Sequence, residues 1–319
     1  MATADQLKAL IRAHIDGNNV QFKTLVLQIA AAEARQNHGK LAQELKKLIS
    51  KPIPQKANVI AIGRVNPMVE LSMPTDKLQD LIVNDNTQSK IKRILNEYRN
   101  RGKLAGFGLQ NRRKILLEGP PGTGKTFTAA IISSELALPL YKVQLDKITT
   151  KFMGETSAKL RQLFQFINEN TGVYLFDEFD AIGSDRSLDN EVGEMRRVLN
   201  SFLQFIEEDS SNSIVIAATN NQQLLDQALF RRFDDVLHYS IPEIREIKEI
   251  FLKYLGDFQP GIIISKKLID QTRSLSQAEV VRVCQDAIKD SIISNEAISE
   301  KKLLDGIKER KTVYLNREA

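Results

Sequence analysis

The feature that most constrains this fold is GPPGTGKT at residues 119–126, set between the apolar run KILLE at 114–118 and a helix-compatible segment. Two glycines with four residues between them, followed by Lys and Thr, mark a turn from strand to helix whose backbone wraps a phosphate. Gly119, Gly122 and Gly124 let the chain bend so that successive amides and the positive helix end surround phosphate oxygens. Lys125 adds a point charge toward the β and γ phosphates, and the Thr126 hydroxyl can ligate magnesium. Pro120, Pro121, Thr123 and Phe127 complete the expected nucleotide-binding segment.

A strand and helix around this loop need a sheet to belong to. The short runs KILLE, LYKVQ at 140–144, VYLFD at 173–177 and SIVIAATN at 213–220 alternate with amphipathic segments, the rhythm of a parallel sheet with crossover helices. After VLHYS at 236–240 only helical periods remain, near 243–256, 265–273, 276–293 and 300–310. The fold class is α/β: a parallel sheet in residues 76–240 and a helical lid in 241–319. Residues 1–50 read as three short helices, on Leu7, Leu10, Ile11 and Ile15, on Phe22, Leu25, Val26 and Ile29, and on Leu41, Leu45, Leu48 and Ile49. Pro52, Pro54, Pro67 and Pro74 fall in a stretch without helical period, so residues 51–75 are expected to be a tether.

Composition removes several alternatives. Cys284 is the sole cysteine and His14, His38 and His238 the only histidines, too few for a disulfide framework or a Cys/His zinc site in one chain. The apolar runs fall far short of the roughly 18 residues of a membrane span. The N-terminus lacks a signal-peptide core, so a cytoplasmic location is expected. A net charge of +5 is dispersed along helices, which leaves nucleic-acid binding without a specific signal.

VYLFDEFD at 173–180 ends an apolar strand in acids at its carboxyl edge, where open α/β sheets bind ligands. Asp177 can orient hydrated magnesium there, and Glu178 can polarise a water for in-line attack on the γ phosphate. Together GPPGTGKT, VYLFDEFDAIG, IAATN and DQALFRRFD resemble the AAA family within the AAA+ ATPases, over residues 76 to 312. The resemblance implies hydrolysis of ATP with magnesium and makes Asn220 a sensor of the γ phosphate or attacking water. It makes Arg231 and Arg232 arginine fingers directed at a neighbouring subunit's nucleotide. The family places two residues between these arginines, whereas here they are adjacent. Arg232, directly before Phe233, is the favoured finger and Arg231 the second, with a surface ion pair the competing role for one of them. The helix at 276–287 resembles the lid helix, with Gln277 replacing a Gly and Ala278 keeping the small residue beside the nucleotide. Arg282 reads as a solvated helix face, with phosphate contact the alternative, and the adenine site is expected near Ile82 and Val83.

TTKFMGET at 149–156 resembles the first pore loop of the family, in which Phe152, Met153 and Gly154 would grip an extended polypeptide; periodicity alone reads Phe152 as a core residue at a helix start. By the same resemblance residues 188–197 would form a second pore loop. The resemblance implies a homo-hexamer that remodels a protein client or serves an adaptor. The layout, a helical segment followed by one ATPase module, resembles bacterial ATPases paired with subtilisin-like serine proteases, so a protease partner and a regulatory role are a second expectation. A nucleic-acid remodeller is a third, disfavoured because Lys151 is isolated and Trp is absent.

Overall fold

The computed structural model describes residues 19–35, 43, 66–148, 155–179, 191–220 and 230–315. The chain divides into two compact units, residues 1–64 and 65–319. In the first, α1 (Asn19–Arg35) occupies the place of the second expected helix. Val26 and Ile29 of its apolar stripe are buried, as is Ala30. The other two expected helices lie, but for residue 43, outside the described residues.

The second unit is built on one sheet of β1 (Val69–Ser72), β2 (Lys114–Glu118), β3 (Leu140–Val143), β4 (Val173–Phe176), β5 (Ile214–Thr219) and β6 (Asp235–His238). Their order is β1-β3-β4-β5-β2-β6, parallel throughout except for β1. β1 corrects the expected extent of the tether, because Val69 pairs with Val143 and Ser72 with Leu140. Only Val69 of this strand is buried, so the segment shows no period to read, and Pro67 and Pro74 flank it as an edge position permits.

The crossovers are α2 (Asp85–Arg99), the short α3 (Arg101–Ala105), α4 (Lys125–Glu135), α5 (Leu145–Ile148), α6 (Glu155–Glu169) and α7 (Glu191–Glu208). Side chains alternate across a strand, so each apolar run feeds both faces of the sheet. Ile115, Leu117, Ile214 and Ile216 pack with Ile91, Ile94 and Leu95 of α2 and Ala129 and Ile132 of α4. Leu116, Val215, Tyr174 and Phe176 pack on the other face with Leu160, Leu163 and Phe164 of α6 and Phe202, Leu203 and Ile206 of α7. Phe202 stands at the centre of the aromatic cluster on that face, 4.4 Å from Phe179 and 4.9 Å from Phe176 between ring centroids.

The lid has its own core, formed by α8 (Ile244–Gly256), α9 (Lys266–Thr272), α10 (Gln277–Ser294) and α11 (Glu300–Leu315). Its helices start where the sequence supplies caps. Ser276 and Glu279 form a reciprocal box at α10, and the Ser265 hydroxyl accepts from the Leu268 amide at α9. Cys284 is buried in this core, and burial pushes its thiol up to about 12, which keeps it protonated and unreactive. No helix among the described residues is long and apolar enough to cross a membrane.

Phe202→Ala should lower the unfolding free energy by roughly 3 to 5 kcal/mol, as measured by denaturant titration. A change below about 1 kcal/mol would mean that the Phe176–Phe179–Phe202 cluster does not anchor the end of β4.

Candidate functional site

β2 lies between β5 and the edge strand β6 and runs parallel to both, so its carboxyl end opens on the same side as theirs. The chain leaves it through Gly119 (φ 145°), Gly122 (φ 74°) and Gly124 (φ 97°), all in the region that favours glycine. Space reinforces this at two of the three. A Cβ on Gly119 would collide with the carbonyl oxygen of Tyr239, and one on Gly122 would stand 2.5 Å from the Ser276 hydroxyl. The loop closes on itself through the Thr123 hydroxyl, which donates to the Pro120 carbonyl at 2.8 Å. α4 begins at Lys125, and the amides of a first helical turn lack acceptors within the helix. The buried Lys125 ammonium donates to the carbonyls of Gly119 (2.6 Å) and Pro120 (2.8 Å), which lays its charge along the inside of the loop. Glycine-only backbone, a helix N-terminus and a buried ammonium together fit a chain of phosphates.

Tyr239 secures this loop from behind. Its hydroxyl shares a 2.6 Å hydrogen bond with the Thr128 hydroxyl of α4, and burial holds the phenol well above its ordinary range.

Across the crevice, the Thr126 hydroxyl donates to Asp177 Oδ2 at 2.8 Å, and the Glu178 amide donates to Asp177 Oδ1 at 3.1 Å. A hydroxyl and a carboxylate side by side are hard oxygen donors suited to magnesium, which takes few protein ligands and fills its shell with phosphate and water. No group of three or more His, Cys, Asp or Glu side chains that could cage a metal occurs among the described residues. Glu178 itself is exposed and sits at φ 51°, a left-handed conformation that costs a non-glycine residue about 1 kcal/mol or more. Buried Phe179 on one side and buried β4 on the other hold it there. The lid reaches the same loop, because the Ala278 amide donates to the Gly122 carbonyl at 2.9 Å. Gln277, in place of the family's Gly, donates to the Ser240 carbonyl at 3.3 Å.

Residues 115–241 match the family described as ATPase family associated with various cellular activities (AAA). The chain is 34% identical over 302 residues to an uncharacterized AAA family ATPase, y4kL, of Sinorhizobium fredii, covering 92% of this chain and 90% of that one. It belongs to the AAA family of ATPases. It is also 32% identical to the ATP-dependent zinc metalloprotease FtsH of Parabacteroides distasonis, over 63% of this chain and 31% of that protein. A 26S proteasome regulatory subunit homolog of Methanothermobacter thermautotrophicus is 30% identical over 62% of this chain and 55% of its own length.

Seen as an AAA ATPase, the chain brings most of the expected residues to one edge. Gly119 to Phe127 follow β2, Asp177 and Glu178 follow β4, and Asn220 follows β5 between them. Val83 packs with the sheet-face core and Ile82 with the lid core, which puts the expected adenine stretch at the junction of the two. The adjacent arginines differ: Arg232 Nε donates to Glu207 Oε2 of α7 at 3.0 Å, while Arg231 is exposed and has no polar partner among the described residues. Arg282 is exposed on α10. Phe152, Met153 and Gly154 lie outside the described residues. Of the second expected pore loop, residues from Glu191 onward belong to α7, because the later turns of that helix, with Val198, Phe202 and Ile206, are fixed in the core. Sequence reading passed over Lys142, whose ammonium stands 3.8 Å from Asp177 Oδ2. The signal was a lone charge inside the apolar run LYKVQ.

Because the backbone at Glu178 is in glycine's territory, Glu178→Gly is expected to leave thermal stability unchanged or to raise it by up to about 1 kcal/mol. A loss of more than about 1 kcal/mol would show that the side chain stabilises the turn.

Proposed function

We propose that this chain is a magnesium-dependent ATPase subunit that works in a ring, hexameric as the family resemblance implies, and uses hydrolysis to remodel or unfold a protein client in the cytoplasm. The observation that carries this reading is the Thr126–Asp177 contact at 2.8 Å, which joins the phosphate loop to the acid pair. In this reading the loop amides and Lys125 bind the phosphates, and Thr126 and Asp177 hold the metal, which supplies positive charge at the phosphate oxygens. Glu178 accepts a proton from the attacking water, and Asn220 orients that water or the γ phosphate. Glu178 stands in the turn just past β4, with its side chain exposed.

The finger comes from the next subunit, since neither arginine serves an isolated chain's own nucleotide in this family. The sequence alone favours Arg232. Its ion pair with Glu207 favours the reverse assignment: Arg231 reaches the neighbour's phosphate while Arg232 braces the turn against α7. A protein client is supported by Phe152, Met153 and Gly154 in the position of a pore loop and by the names of the two partial relatives, a protease and a proteasome regulatory subunit homolog. The layout supports a subtilisin-like protease as a partner whose activity the ring regulates or feeds. In that reading residues 1–50 select the client or adaptor.

Shared sites can be tested by mixing. Arg231→Ala subunits keep a complete set of their own loop and acid residues, and Glu178→Gln subunits keep the finger. Each variant alone should hydrolyse ATP at a small fraction of the wild-type rate, and their mixture should exceed the sum of the two. If no mixing ratio exceeds that sum, while each variant still binds ATP, the shared site is refuted.

A further inference from the structure

Lys142 is an unusual occupant of its place. β3 is an internal strand, paired with β1 on one side and β4 on the other, and Leu140, Tyr141 and Val143 around the lysine are buried. Lys142 is the one exposed residue of this strand, and its charge stands among buried apolar neighbours. Register supplies the geometry. Lys142 pairs with Leu175 in the parallel ladder, two residues before Asp177 in the turn that leaves β4. Its ammonium comes to 3.8 Å from Asp177 Oδ2, the same oxygen that accepts from the Thr126 hydroxyl. The side chain remains about half exposed at the mouth of the crevice.

We propose that Lys142 is a built-in cation of the nucleotide site, which competes with the divalent metal for Asp177 and supports the phosphates when no metal is bound. This rests on the reading of Thr126 and Asp177 as the metal-holding pair. Two consequences follow from one charge. A fixed positive charge beside the carboxylate repels an incoming divalent ion, so removing it should tighten metal binding. The same charge attracts polyphosphate, so removing it should weaken nucleotide binding in the absence of metal. A side chain that merely packs would not move these two affinities in opposite directions.

Two binding measurements on the full chain test this, neither of which needs turnover. Mn2+ binding to the ADP-loaded protein is followed by electron paramagnetic resonance, and binding of a fluorescent ADP analogue is followed in EDTA. For Lys142→Met, Mn2+ affinity should rise roughly three- to fivefold and metal-free ADP affinity should fall by a similar factor, the range set by a partly exposed charge pair. Lys142→Arg, which keeps the charge, should behave like wild type, and Lys142→Gln provides a second uncharged variant if Met disturbs the strand. Adding Asp177→Asn should abolish the gain in Mn2+ affinity. Wild-type values for both affinities in both uncharged variants would overturn the role of Lys142, as would shifts in the same direction. Failure of the wild-type protein to bind ADP with Mn2+ would instead refute the underlying reading of Thr126 and Asp177.

Discussion

The site depends on one hydrogen bond between parts of the chain 51 residues apart, from the Thr126 hydroxyl to Asp177 Oδ2. Each partner is positioned by its own segment, but their meeting is not local. Thr126 is fixed by the start of α4, whose first turn must follow a loop of left-handed glycines, and Asp177 is fixed by the buried end of β4. The sheet makes them meet, because β5 is inserted between β4 and β2, and all three run parallel so that their carboxyl ends open on one side. Crossover helices on both faces keep that order rigid, and the ligand side is the side where strands end and loops are free to vary.

Around this contact the molecule accepts local costs that packing elsewhere offsets. Glu178 holds a backbone conformation that glycine would adopt with less strain, between Phe179 and a fully buried strand. Lys125 is buried, and its ammonium donates to two loop carbonyls. The lid is tied in at the same point through the Ala278 amide and the Gly122 carbonyl, with Ser276 and Ala278 close against that glycine. A change at the phosphate loop therefore has a direct path to α10 and the lid core.

Much of this was legible in the sequence. GPPGTGKT, the apolar strands and the lid helices could be read because glycine conformations, buried parallel strands and capping residues such as Ser276 and Glu279 leave local signatures. What escaped depended on partners far away in the chain. β1 has one buried residue and no period, and only its pairing with β3 makes it a strand. Lys142 gains meaning from its register against β4, and Arg232 from Glu207 on the preceding helix. Adjacent arginines look equivalent in one dimension, yet one is engaged and the other is exposed. Gly193 within 188–197 suggested a loop, but anchoring of the later turns of α7 in the core carries the helix back through it.

Nucleotide affinity with and without the Lys125 ammonium bears most directly on the phosphate-binding role of residues 119–126. Titration of a fluorescent ATP analogue at fixed magnesium should show saturable binding to the wild-type chain. For Lys125→Ala the affinity should fall by roughly 10- to 150-fold, as expected for the loss of a charged hydrogen bond of about 1.5 to 3 kcal/mol. Equal affinities in a folded variant would contradict the assignment of this loop as the phosphate site.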